Sequence, residues 1–220
     1  MSAELLETLE IETAPHPQAS IIWMHGLGAD GNDFAPLAGE IDLPFGVRYI
    51  FPHAPPMPVS INGGYVMRAW YDISDAAIRR EDEAGVRASQ RSVEALIARE
   101  KARGIAANRI VLAGFSQGGA IALHTGLRHA ERLAGIMALS TYVPLADKLA
   151  AEASPANRDA PIFMAHGTHD PVISVARAKE SHDLLLQLDY KIEWHEYRME
   201  HSVCPQELAD LGEWLRRVLG

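Results

Sequence analysis

The 220-residue sequence predicts one α/β domain spanning 1–220, a mainly parallel central sheet flanked by helices on both faces. Three observations carry that prediction. Short apolar runs of strand length alternate along the whole chain with segments of helical period, the pattern that right-handed crossovers around a parallel sheet require. No repeat, low-complexity tract or linker divides the chain, and its length suits a single core. One junction, Gly114-x-Ser116-x-Gly118, stands between a buried-strand run and a helical run.

The first element is a weakly alternating edge strand within Glu4 to Thr13. Ser20 to Met24 is a short apolar strand that empties into the glycine-rich loop His25 to Gly31, and a helix is expected from Asn32-Asp33 through Phe34, Leu37 and Ala38. Val47 to Phe51 is the next strand, stopped by Pro52. From Pro52 to about Asp75 the sequence predicts a long irregular excursion, rich in aromatic and apolar residues, that folds back over a site. Glu83 to Arg103 carries Val86, Val93, Leu96 and Ile97 on one helical stripe and stops at Gly104. Arg109 to Ala113 is a buried strand, and Ala120 to Leu123 opens a helix. Leu133 to Leu139 is a further strand, a polar segment runs from Glu152 to Asp159, and Pro161 to Ala165 is a strand ending at His166-Gly167-Thr168-His169-Asp170-Pro171. Ser174 to Leu188 is helical, Tyr190 to Tyr197 alternates like a less buried strand, and the last helix begins near Pro205.

Composition excludes several classes. A formal net charge of −9, with no basic cluster beyond Arg79-Arg80 and Arg216-Arg217, argues against nucleic acid as a partner. No run approaches the ~18 apolar residues a membrane span needs. The acidic start, Met1 to Glu7, has neither the basic nor the apolar region of a secretory signal. The single cysteine, Cys204, permits no intrachain disulfide, which fits a reducing compartment. A cytoplasmic protein without a stable membrane anchor is expected.

The Ser116 junction has the form of a nucleophile elbow, in which a serine sits at the tip of a sharp strand-to-helix turn. Gly114 and Gly118 remove the side chains that would clash across it. Serine attacks only if a base takes its proton, and the base must be held in one tautomer by an acid. Elbow-type hydrolases supply acid and then base downstream of the serine. Asp170 leaves a buried strand in the right place for the acid, whereas Asp159 precedes that strand and Asp183 and Asp189 belong to a helix. His201 follows the next strand and fits the base; His182 lies in the helix and His195 on a polar strand face. His166 and His169 are expected to brace the turn at Asp170. Two donors are needed for an oxyanion: the backbone N–H of Gln117, and that of Leu27 in the early glycine loop, which His25 would hold by hydrogen bonds. The loops bearing His25, Ser116, Asp170 and His201 all leave carboxyl ends of strands, where ligands bind in such sheets.

Along nearly the whole chain, His25 to Gly31, Phe51 to Pro55, Asn62-Gly63-Gly64, Ala69 to Asp72, Gly114 to Gly119 and His166 to Pro171 stand in sequential order. Together they resemble the carboxylesterase/acyl-protein thioesterase (lysophospholipase-like) family of small α/β-hydrolases. The resemblance implies the α/β-hydrolase fold, a triad of Ser116, Asp170 and His201, and an oxyanion hole at Leu27 and Gln117. It implies no cofactor and no metal, a small-molecule ester as substrate, and an acyl channel formed partly by the excursion around Trp70. It also implies homodimers that meet near the active site. Eukaryotic members often carry an N-terminal cysteine that can be lipidated, whereas this chain begins Met1-Ser2-Ala3. Its base loop, Tyr197 to Ser202, is shorter than theirs and has Glu200 where a small residue commonly precedes the histidine. Both departures point to the bacterial carboxylesterase branch and to short- and medium-chain esters.

The leading expectation is therefore a cofactor-free serine esterase working through an acyl-enzyme, with Trp70, Ile73 and Val172 contacting substrate. A thioesterase or a lysophospholipase on the same triad is the near alternative. From other classes, His166-x-x-His169-Asp170 as ligands of a metal-dependent hydrolase and a non-catalytic binding protein on a hydrolase scaffold are the rivals. Cys204 reads as a buried, inert cysteine at a helix start rather than a second nucleophile.

Overall fold

The computed structural model describes residues 5–75 and 81–220; the Arg79-Arg80 pair and Met1 to Glu4 lie outside the described residues. Seven strands form the main sheet: β1 (Thr8–Glu12), β2 (Ala19–Met24), β3 (Val47–Pro52), β6 (Ile110–Phe115), β7 (Gly135–Leu139), β8 (Ile162–Gly167) and β9 (Ile192–Tyr197), in the order β1-β3-β2-β6-β7-β8-β9. Only β1 is antiparallel to its neighbour. The α/β-hydrolase fold and its single domain are thus as expected.

The interior strands are apolar throughout because both faces are covered. Alternate residues divide between two cores. Ile22, Leu112, Ile136 and Met164 pack with helices α2 (Glu83–Ala102), α3 (Gln117–Gly126), α4 (Ala146–Glu152) and α5 (Val175–Gln187). Trp23, Val111, Met137 and Phe163 face the other way, against α1 (Leu37–Glu40) and α6 (Pro205–Leu219). The caps follow the side chains available: Asp82 accepts from Gly85 N–H at the start of α2, and Ser174 from Arg177 N–H at the start of α5.

Three expectations are corrected. The helix foreseen from Asn32 is confined to α1, because the Asp30 carboxylate accepts from both the backbone and the side-chain N–H of Asn32, and Pro36 stands at the N-cap. The 52–75 excursion is not irregular: β4 (Pro56–Val59) and β5 (Tyr65–Arg68) pair as an antiparallel hairpin. Its prolines stand in a two-stranded ribbon, where proline is tolerated. Between β7 and β8, α4 occupies a stretch with no predicted helix.

The direction of chain progression reverses between β2 and β6, since β2 leads outward to β3 and β6 leads the other way to β7 and β8. Crevices at such switch points, beyond the strand carboxyl ends, are where open α/β sheets bind ligands. The loop after β2 and the Ser116 turn after β6 flank this one.

Candidate active site

Ser116 sits between β6 and α3 with φ 55 and ψ −120, a positive φ that a non-glycine residue adopts only when its surroundings enforce it. Those surroundings are visible. Ser116 N–H donates to Leu139 C=O (2.8 Å), and its own C=O accepts from Ala120 N–H (3.1 Å) and from Thr141 Oγ1 (2.7 Å). The flanking glycines are needed for close approach. A Cβ on Gly114 would lie 2.3 Å from the Gly118 carbonyl carbon, and one on Gly118 would lie 2.3 Å from Met24 O.

The structure brings Ser116, His201 and Asp170 together. His201 Nε2 is 2.9 Å from Ser116 Oγ, and His201 Nδ1 is 2.6 Å from Asp170 Oδ2. Asp170 is anchored from the other side, where its Oδ1 accepts from the N–H groups of Val172 (2.8 Å) and Ile173 (2.9 Å). A carboxylate accepting from Nδ1–H leaves Nε2 as the acceptor for the serine hydroxyl, so geometry sets the imidazole tautomer. Phe115 packs on the His201 ring at 4.7 Å between centroids. Gly167 lets the His201 loop close: a Cβ there would meet Glu200 O at 2.3 Å and Met199 O at 2.5 Å.

His166 braces the acid turn through Nε2–H to Ile173 C=O (2.8 Å), and burial pushes its pKa down. His169 Nδ1 is taken up by Thr168 Oγ1. His166 Nε2 also lies 3.4 Å from Asp170 Oδ2, the oxygen that His201 Nδ1 meets at 2.6 Å. His195 is not simply on a polar face. Its ring stacks on Phe163 at 4.7 Å while Nε2 meets Glu193. His182 lies on α5 beside Trp194. Cys204 is half-buried at the N-cap of α6.

Leu27, Ser116 and Gln117 line one cavity. Gln117 opens α3, so its N–H belongs to the first helical turn, whose donors have no partner within the helix. The Leu27 loop runs beside the serine, since a Cβ on Gly26 would lie 3.5 Å from Ser116 Cβ. His25 holds that loop. Its Nε2 accepts from Ala54 N–H (3.1 Å), which makes Nδ1 the protonated nitrogen, 2.7 Å from Gly26 C=O. Burial lowers the His25 pKa and keeps this tautomer neutral.

A cavity of about 510 Å³ opens over Ser116. Leu27, Phe115, Gln117 and His201 line it together with Ser116, and Ile61, Tyr71, Ile73, Tyr142, Val172 and Ile173 supply apolar walls. Ile73 and Val172 therefore stand where substrate contact was expected. Trp70 does not. It is 2% exposed and lies outside the cavity lining, because its Nε1–H donates inward to His25 C=O (2.9 Å) and its backbone N–H to Gln117 Oε1 (2.7 Å). The other half of the Gln117 amide, Nε2–H, donates to Tyr71 C=O (2.7 Å), and Ser89 Oγ holds Trp70 C=O. Trp70 is a brace under the site, and Tyr71 next to it faces the ligand space.

Tyr71, Tyr142, Thr141 and the Gln117 side chain escaped the sequence reading. The available signal was that Ser140 to Tyr142 also leaves the carboxyl end of a buried strand.

With this geometry in place, a family model described as phospholipase/carboxylesterase matches residues 7–219. The chain belongs to that family. Acyl-protein thioesterase 1 of Cryptococcus neoformans is 40% identical over 97% of this chain and 98% of its own length. Its namesake in Gibberella zeae is 38% identical over 100% and 98%. Among solved structures, acyl-protein thioesterase 2 of Zea mays superimposes with a TM-score of 0.88 at 29% identity, covering 97% of this chain and 99% of the maize one. Arabidopsis thaliana SOBER1 gives 0.87 at 28% identity, over 92% and 99%. Hydrolysis of ester-type bonds is the activity of the family, and no helix among the described residues is long and apolar enough to cross a membrane.

Proposed function

We propose that the chain is a serine hydrolase that cleaves acyl thioesters and carboxylic esters through an acyl-enzyme. The observation that carries this is the unbroken chain of hydrogen bonds from Asp170 through His201 to Ser116, ending at an apolar cavity. In this reading Ser116 Oγ attacks the acyl carbon as His201 Nε2 takes its proton, and Asp170 stabilises the imidazolium that forms. The N–H groups of Gln117 and Leu27 receive the negative charge of the tetrahedral intermediate. His201 then returns the proton to the leaving thiolate or alkoxide, and water repeats the sequence in reverse to free the acid.

No step calls for a cofactor. Glu200 before His201 favours small esters, but the bacterial carboxylesterase branch expected from the sequence is not supported, since the relatives named above are fungal acyl-protein thioesterases. The fungal acyl-protein thioesterases at 38–40% identity favour thioesters, and we rank thioester cleavage first. The single cysteine supports a cytoplasmic setting.

A fluorophosphonate probe should label Ser116 in the wild type, and Ser116→Ala should lose both labelling and turnover; retained turnover would sink the reading. Parallel assays on an octanoyl thioester, p-nitrophenyl esters and lysophosphatidylcholine rank the substrates. Thioester turnover below that of every oxygen ester would restore the esterase assignment.

A further inference from the structure

Behind the apolar wall of the cavity lies a second recess of about 150 Å³, lined by Val143, Ala146, Arg177, Glu180, Ser181 and Leu184. Tyr142 is common to the linings of both. Its side chain is a partition, and it is held from several directions. The hydroxyl pairs with that of Tyr71 at 2.7 Å, and the Arg177 guanidinium stands over the ring, 4.3 Å from its centroid. The next residue is tied down as well, since Val143 N–H donates to Ser181 Oγ at 2.9 Å. Tyr142 is 2% exposed and Tyr71 likewise, so neither hydroxyl can trade its partner for bulk water without opening the wall.

We infer that Tyr142 sets the acyl-length limit of this enzyme by walling the substrate cavity off from the recess behind it. The inference rests on the serine-hydrolase reading above and adds to it a specificity determinant. The recess has the composition an alkyl tail needs near the wall, with Val143, Ala146 and Leu184 contributing apolar surface, while Arg177 and Glu180 supply its charged groups. An acyl chain confined to the first cavity must leave its remaining methylenes in water once that cavity is full. With the ring gone, further methylenes can lie against Val143, Ala146 and Leu184, and each one buried is worth about a factor of four in binding.

The test is a series of p-nitrophenyl esters from C2 to C16, read as the ratio of kcat/KM at the longest chain to that at C4, with active sites titrated by fluorophosphonate. Tyr142→Ala should raise that ratio at least about tenfold over wild type, the effect of roughly two added methylenes. Tyr142→Leu, a milder change that guards against misfolding, should move it the same way by less. Tyr142→Phe, which keeps the ring and loses the hydroxyl, should keep the wild-type ratio. Ala146→Phe on the Tyr142→Ala background should refill the recess and return the ratio toward wild type.

An unchanged ratio in Tyr142→Ala and Tyr142→Leu, with Ser116 still labelled, overturns the inference and leaves the serine-hydrolase reading intact. A shift as large in Tyr142→Phe as in Tyr142→Ala also overturns it, since the hydroxyl pair rather than the ring would then set the limit. A wild type that is not labelled at Ser116 overturns both.

Discussion

Gly118→Ala isolates the part of the site where backbone meets backbone. A Cβ at this position would lie 2.3 Å from Met24 O and 2.5 Å from His25 O, and real Cβ atoms essentially never come within 3.0 Å of another heavy atom. Neither oxygen is the tip of a flexible side chain. Met24 O ends a central strand, and His25 O is held by Trp70 Nε1–H. The elbow must therefore retreat by at least 0.7 Å, the difference between 2.3 and 3.0 Å. The Gln117 N–H, one residue away, moves with it. A misplacement approaching 1 Å costs about 10²-fold in rate, or about 3 kcal/mol of transition-state stabilisation. The loss should fall on kcat more than on KM, because the oxyanion forms only in the transition state. Steady-state kinetics on an oxygen ester, with Ser116 titrated by fluorophosphonate, measures it. Gly39→Ala is the control, since its Cβ would meet nothing within 4 Å, and it should leave kcat and KM unchanged. A Gly118→Ala enzyme within threefold of wild-type kcat would refute the link between this close approach and catalysis.

Two further outcomes follow from the charge pattern. Asp170→Asn keeps an oxygen for the Val172 and Ile173 N–H groups, so the fold should hold, but its amide N–H cannot accept from His201 Nδ1–H. The imidazole then adopts the other tautomer and kcat should drop about 10⁴-fold with little change in urea midpoint. Glu207, fully buried in the first turn of α6, has its carboxyl pushed up to about 8 by burial. Across pH 4.5 to 8 the folded chain keeps a proton that the unfolded chain has released, so this group's stabilising contribution falls as pH rises and levels off above 8. His124, which burial holds down to about 3, adds slope of the opposite sign only below its ordinary value of 6.5. Urea melts between pH 6.5 and 8 therefore isolate Glu207. Wild-type stability should decline there by up to about 1.4 kcal/mol per pH unit relative to Glu207→Gln, and parallel curves would dismiss the effect.

What sequence could show depended on how local the cause was. Ile110 to Ala113 is apolar at every position, and that alone marks a strand covered on both faces. Gly114-x-Ser116-x-Gly118 encodes its turn within five residues, and chain order then pointed to Asp170 and His201. The hairpin within 52–75 was hidden because Pro55, Pro56 and Pro58 read as loop, whereas a two-stranded ribbon tolerates them. The family resemblance implies an acyl channel around Trp70 and so makes it a substrate contact. Its indole partner, His25 C=O, is 45 residues distant, and no local pattern announces such a bond. Tyr142 was passed over for a related reason. Its importance comes from standing between two spaces, the second of which exists only once α5 has packed.

The Gln117 carboxamide, gripping Trp70 N–H with one end and Tyr71 C=O with the other, has an engineering consequence. It rivets the root of the 52–75 excursion to the elbow, while at the tip a Cβ on Gly63 or Gly64 would meet nothing within 4 Å. Root and tip are thus separable parts. The root carries tolerances set by chemistry, whereas the tip can be exchanged for one of another length or polarity as a lathe accepts a different tool. A library confined to Ile61 and Asn62, both in the cavity lining, would explore new clientele for the cavity mouth while the spindle beneath it stays true.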